Sequence, residues 1–115
     1  MSDAIIWHNP RCTKSRETLK LLQDKGVTVT ERRYLEDAPS ESELRDALAL
    51  LGLPAIKLMR TGEAEFKAQG LTSDSDEATL VAAMARTPRL IERPVVFANG
   101  KAALGRPPEA VLQIL

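Results

Sequence analysis

The residues best suited to chemistry crowd into one short segment, His8-Asn9-Pro10-Arg11-Cys12-Thr13-Lys14-Ser15-Arg16. Cys12 is the sole cysteine, and it lies between a short apolar run at residues 4–7 and a stretch with helical spacing. A strand feeding a tight loop and then a helix would hold this thiol at a helix N-terminus. There, unpaired backbone N–H groups and the helix dipole favour thiolate over thiol. Arg11, Lys14 and Arg16 supply positive charge nearby, and a protonated His8 would supply more. A free cysteine titrates near ~8.5, and surroundings of this kind lower that value. Cys12 is therefore expected to be acidic and nucleophilic. By residue type alone, His8 tunes Cys12, caps the loop or simply sits at the surface. Ser15 likewise either bonds the thiolate or serves the first helical turn. Asn9 and Pro10 are turn residues by chemistry, so they are expected to shape the loop.

Composition narrows the setting. At 115 residues the chain is expected to form a single domain, residues 1–115. Sixteen acidic residues balance sixteen basic ones, so nothing in the overall charge argues for a nucleic-acid or polyanionic partner, and none is expected. The apolar run near the start is too short for a signal-peptide core, and no run reaches membrane-spanning length. The expectation is a cytoplasmic protein with no membrane partner, in a reducing compartment that keeps Cys12 a thiol. One cysteine makes no internal disulfide, so any redox cycle must take its second thiol from another molecule. One cysteine and one histidine four residues apart make no closed coordination set, and neither a metal nor a bound cofactor is expected.

Positioning falls to the elements around this loop. Residues 4–7 read as a strand. Leu19 and Leu22, widened by Leu21, predict a helix over 14–25 with Gly26 as its stop. Val27 and Val29 predict a second strand over 27–33. Ser40 and Glu43 match a capping box, and Leu44, Ala47, Leu48 and Leu51 follow at helical intervals up to Gly52. A short helix fits residues 55–60, and the polar stretch 63–70 is ambiguous. A further helix, capped by Ser75 or a neighbouring aspartate, carries Leu80, Val81 and Met84 and ends before Pro88. Val95, Val96 and Phe97 form strand, Asn99-Gly100 is a type I′ hairpin turn, and residues 101–104 form the return strand. Pro107-Pro108 opens a last helix expected to bury Val111, Leu112 and Leu115. The order fits an α/β chain with a thioredoxin-like fold, enlarged by a helical insertion between residues 40 and 90. In that fold Pro94, after Arg93, takes the place of a cis-proline facing the thiol.

Four segments in this order carry a family resemblance: HNPRC-x-x-SR, a lone Arg60 after the second helical region, the ERP of Glu92-Arg93-Pro94, and GRPPE beginning at Gly105. Together the chain resembles the glutaredoxin-coupled arsenate reductases, most closely their short, single-domain bacterial members. The resemblance implies Cys12 as the nucleophile toward an oxyanion, His8 as an aid to its ionisation, and Arg60, Arg93 and Arg106 as the clamp around that oxyanion. It implies arsenate or a similar oxyanion as substrate, glutathione as co-substrate, and glutaredoxin as the partner that clears a mixed disulfide on Cys12. Arg11 and Thr13-Lys14 stand where established arsenate reductases carry small residues.

Two other readings use the same residues. A glutathione-dependent thiol–disulfide oxidoreductase would turn the arginines to the carboxylates of glutathione. Some relatives of the fold are Spx-type transcription regulators, which sense oxidants through a C-x-x-C pair. Here Ser15 stands three residues after Cys12, so that switch is missing.

Overall fold

The computed structural model describes residues 3–115. They form two units, one comprising residues 3–37 with 93–115, the other Ala38–Glu92. The first begins with strand β1 (Asp3–Trp7), helix α1 (Thr13–Asp24) and strand β2 (Thr28–Arg32). It is completed by β3 (Val95–Ala98), β4 (Lys101–Leu104) and a 3₁₀ segment, Pro108–Ile114. The sheet order is β2-β1-β3-β4, with β1 parallel to β2 and antiparallel to β3, and β3 antiparallel to β4. Placing β1 in the interior of the sheet means that the loop leaving its C-terminal end, which carries Cys12, starts from backbone paired on both sides.

The pleat sorts the side chains of β1. Ala4 and Ile6 turn to one face and are buried, whereas Ile5 on the other face is 45% exposed. Ala4 and Ile6 join Leu22, Val96, Ala98, Val111 and Ile114 in one cluster, with Leu19, Leu21, Val27, Val29 and Ala103 packed against it. Complete burial of a side chain the size of Ile6, Leu22 or Val96 contributes about 1.5–3 kcal/mol. On the opposite face Trp7 and Phe97 meet with ring centroids 5.0 Å apart, and the Arg32 guanidinium lies 5.9 Å from the Trp7 ring centre. The hairpin turn forms as expected, with positive φ at Asn99 (55°) and Gly100 (73°). The Asn99 side chain also donates to the Ile114 carbonyl at 2.8 Å, tying the turn to the last segment.

That last segment differs from expectation. Its pitch is 3₁₀ rather than α, so side chains three apart line up. The buried set is Pro108, Val111 and Ile114, while Leu112 is half-buried and Leu115 exposed.

The second unit is the helical insertion. Helix α2 (Glu41–Leu51) opens on the predicted capping box, Ser40 Oγ accepting from Glu43 N–H at 3.1 Å and Glu43 Oε1 accepting from Ser40 N–H at 3.0 Å. It closes on Gly52 in the left-handed region. The segment expected as a short helix over 55–60 is a 3₁₀ turn, Ala55–Leu58. The ambiguous stretch contains a five-residue helix, α3 (Ala64–Ala68). Helix α4 (Glu77–Arg86) is capped by Asp76, whose carboxylate accepts from Thr79 N–H at 2.8 Å. Leu44, Ala47 and Leu48 of α2 and Leu80, Val81, Ala83 and Met84 of α4 are buried in this unit. An isolated antiparallel bridge, Met59 to Ile91, ties its middle to its end.

Candidate active site

The loop after β1 is built by backbone hydrogen bonds that continue the sheet and then turn into the helix. His8 N–H donates to the Arg32 carbonyl at 2.8 Å, extending the parallel pairing of β1 with β2 by one residue. Asn9 then directs the turn, with its side-chain oxygen accepting from Arg11 N–H at 3.0 Å and its carbonyl accepting from Cys12 N–H at 3.0 Å. Arg16 in the first helical turn donates to the Pro10 carbonyl at 3.0 Å and to Thr13 Oγ1 at 3.3 Å, which pins the loop to α1. Asn9 and Pro10 thus both take part in the hydrogen bonds of the turn.

Cys12 is the N-cap residue of α1, with extended backbone angles (φ −95°, ψ 124°), and is only 8% exposed. Burial, the largest single influence on its ionisation, disfavours the thiolate. The amide of Ser15, the charge of Arg93, the amide of Lys14 and a hydrogen bond from the Arg93 side chain together outweigh burial and hold the thiol below its usual value. The sulfur therefore receives help from two sources, the helix N-terminus and one guanidinium.

Ser15 is fully buried and sits at a junction. Its Oγ accepts from Asn9 N–H at 3.0 Å and lies 2.7 Å from His8 Nδ1. His8 is itself buried, 3% exposed. Its pKa lies below the ordinary imidazole value, chiefly because burial penalises the charged ring; Glu31 pulls the other way, and Arg33 and Arg16 push further down. The imidazole is therefore favoured as the neutral ring, and its hydrogen bond is to Ser15. The added charge that a protonated His8 would bring to the loop is thus disfavoured, because burial and two arginines act against it.

The GRPPE and ERP segments meet in this same unit. The Arg93-Pro94 and Arg106-Pro107 peptide bonds are both cis. Gly105 N–H donates to the Pro94 carbonyl at 3.0 Å, and Arg106 Nη1 donates to the Arg93 carbonyl at 3.0 Å. Gly105 is required by space rather than by φ: a Cβ there would overlap Thr18 Oγ1 of α1 and stand 2.7 Å from Pro94 Cγ. Thr18 and Gly105 therefore let α1 and the loop before β3 close together, which keeps Arg93 beside Cys12. Nothing in its residue type pointed to Thr18, and Gly105 stood out only as the first residue of the GRPPE segment.

Cys12, His8, Asn9, Ser15, Arg93, Pro94 and Arg106 all belong to the first unit. Arg60 belongs to the second, where its N–H donates to the Leu90 carbonyl at 2.8 Å and its Nη1 pairs with Glu63 Oε1 at 2.8 Å. Sequence reasoning also missed Arg33, whose effect on His8 follows from the β1–β2 register: Trp7 pairs with Arg32, so the next residues along each strand lie side by side.

A four-stranded mixed sheet, a cis-proline before β3 and an acidified cysteine capping the first helix define a thioredoxin-like α/β protein built around one reactive thiol. The sequence profile of the ArsC family matches residues 7–114, and the chain belongs to that family. It is 50% identical over 112 residues to the uncharacterised protein YfgD of Escherichia coli K12, covering 96% of this chain and 94% of that one. It is 43% identical over 117 residues to an arsenate reductase of Neisseria meningitidis, covering both chains in full. The solved structure of an arsenate reductase from Vibrio cholerae superposes with a TM-score of 0.95 at 46% identity, covering 99% of this chain and 98% of that one.

Proposed function

We propose that the chain is an arsenate reductase of the glutathione- and glutaredoxin-dependent type, acting in the cytoplasm with Cys12 as nucleophile. The observation that carries this reading is the sulfur itself, a buried helix N-cap thiol hydrogen-bonded by Arg93 and held toward the thiolate. Arsenate is a tetrahedral oxyanion. A site for it must cancel charge and offer a nucleophile that is already ionised. Arginine suits the first task, because its planar fork presents paired donors and stays protonated. Arg93 and Arg106 belong to the oxyanion clamp in this reading, to which the family resemblance also assigns Arg60.

The chemistry balances as three displacements. Cys12 thiolate bonds to As(V) and an arsenate oxygen leaves as water after taking up two protons. Glutathione thiolate then bonds to the Cys12 sulfur, and the electron pair of the S–As bond departs with arsenic as arsenite, now As(III). Glutaredoxin thiolate takes the glutathione from the mixed disulfide and frees Cys12. His8 and Ser15 position the loop and the first turn of α1 beneath the sulfur.

The test is NADPH consumption with arsenate, glutathione, glutaredoxin and glutathione reductase. Saturable turnover is expected, absent in Cys12→Ser and strongly reduced in Arg93→Ala. No turnover above the enzyme-free background, with Cys12 still alkylated quickly near neutral pH, would instead assign the thiol to glutathione-dependent disulfide exchange.

A further inference from the structure

On the β2 side of the catalytic loop lies a cavity of about 190 Å³, lined by His8, Pro10, Arg11, Arg33, Leu35 and Glu36 among others. It takes no part in the oxyanion clamp described above. At ~30 Å³ per water it has room for roughly six waters, which suits part of a small molecule rather than a protein surface. Its charges come in a distinctive set. Arg11 and Arg33 are exposed, and among the described residues neither guanidinium is engaged in a hydrogen bond or an ion pair. Glu36 adds one carboxylate, while Leu35, 41% exposed, and Pro10 add an apolar wall. The loop that forms this wall also holds the thiol, because Asn9 O accepts from Cys12 N–H at 3.0 Å.

We infer that this cavity, through Arg11, Arg33 and Glu36, is the docking site for the peptide thiol that reacts at Cys12, a molecule with two carboxylates and one ammonium. The inference rests on the glutathione dependence proposed above and assigns it a place. Two unengaged guanidinium groups match two carboxylates, and Glu36 matches the ammonium. A tetrahedral oxyanion would need no carboxylate in its site, and Glu36 argues against one here. Arg33 also stands close enough to His8 to act on its charge, so the cavity borders the positioning network of the loop.

The inference is tested without arsenate. Oxidised glutathione is mixed with the reduced protein, and mass spectrometry follows the exchange: the Cys12 thiolate bonds to one sulfur, the S–S bond breaks, and glutathione thiolate leaves. Hydroxyethyl disulfide, which has no charged group, is the reference, and the readout is the ratio of the two rates. That ratio cancels any change in the reactivity of the sulfur itself. The ratio is expected to fall about 3- to 5-fold in Arg11→Ala and in Arg33→Ala, and about 10-fold or more in the double variant, as exposed charge pairs would give. Glu36→Gln is expected to lower it about 2- to 3-fold. An unchanged ratio in the double variant, or a rise in Glu36→Gln, overturns the assignment. Failure of the arsenate reading has a different signature, because the wild-type protein would then fail to turn over arsenate while the rate ratio still responded to these substitutions.

Discussion

Replacing Ser15 by alanine removes one oxygen and leaves two groups stranded. His8 Nδ1, now 2.7 Å from Oγ, and Asn9 N–H, 3.0 Å from it, both lose this partner inside a region where His8 is 3% exposed. A buried polar group left unsatisfied costs about 1–3 kcal/mol, and alanine regains about 0.5 kcal/mol of helix propensity. With two groups stranded, the net loss for Ser15→Ala is therefore about 1.5–5.5 kcal/mol. With a urea slope of about 2 kcal/mol/M, the middle of the usual range for a small protein, the unfolding midpoint should drop by roughly 1–3 M. Trp7, the sole tryptophan, sits next to His8 and reports the transition by fluorescence under reducing conditions. A double-mutant cycle with His8→Ala sharpens the test, because removing the ring also removes one of the stranded groups. The two changes should couple by about 1 kcal/mol or more. A loss below ~0.5 kcal/mol for Ser15→Ala, or strict additivity with His8→Ala, would refute the junction role of Ser15.

Three further expectations follow from the same geometry. Arg93→Ala removes both the charge and the hydrogen bond that help ionise Cys12, so the midpoint of iodoacetamide alkylation against pH should move upward, and an unmoved midpoint would discount the guanidinium. The fold holds His8 below its ordinary value of 6.5, so the unfolded chain binds that proton more readily. The contribution of His8 is complete above about pH 6.5 and is lost as pH falls toward the folded value; His8→Gln should unfold with a flatter pH dependence in that window, and equal slopes would count against it. Gly105→Ala should cost about 1–3 kcal/mol by overpacking against Pro94 and Thr18, lowering Tm by roughly 4 °C per kcal/mol. Part of that loss should return in Gly105→Ala/Thr18→Ala, and no recovery would place the strain elsewhere.

Much of this architecture is legible in the residues because its signals are local. Ser40 and Glu43 satisfy each other across three residues, Asn99-Gly100 tolerates the positive φ its turn demands, and the Ala4 to Trp7 run leads directly into the cysteine loop. The last segment was harder, since Pro108, Val111 and Ile114 fit a period of three while Val111, Leu112 and Leu115 fit a period of 3.6, and the choice depends on packing against the sheet. Helix α3 spans only five residues, too few for any periodicity to register. Within the site, Cys12 and its helix could be read from order along the chain, whereas the partners of charged groups could not. That Arg93 reaches the sulfur, Arg106 the Arg93 carbonyl and Arg60 the Glu63 carboxylate are facts of tertiary placement. Arg33 acts on His8 through strand register, and Gly105 matters through a contact with Thr18 far away in sequence.

The N-cap position of Cys12 also bears on how the sulfur lets go. Every amide and guanidinium that gathers around it favours a negative charge, and that charge disappears whenever the sulfur is bonded to arsenic or to another sulfur. A thiol of low pKa departs faster from a disulfide, and stabilising the reduced form raises the reduction potential of the oxidised one. Any disulfide at Cys12 is thus a comparatively oxidising one, quick to be stripped by an incoming thiolate. In the proposed cycle, the helix that primes the sulfur for attack would also make it a good leaving group when an external thiol, in place of a second cysteine of the chain, strips the disulfide.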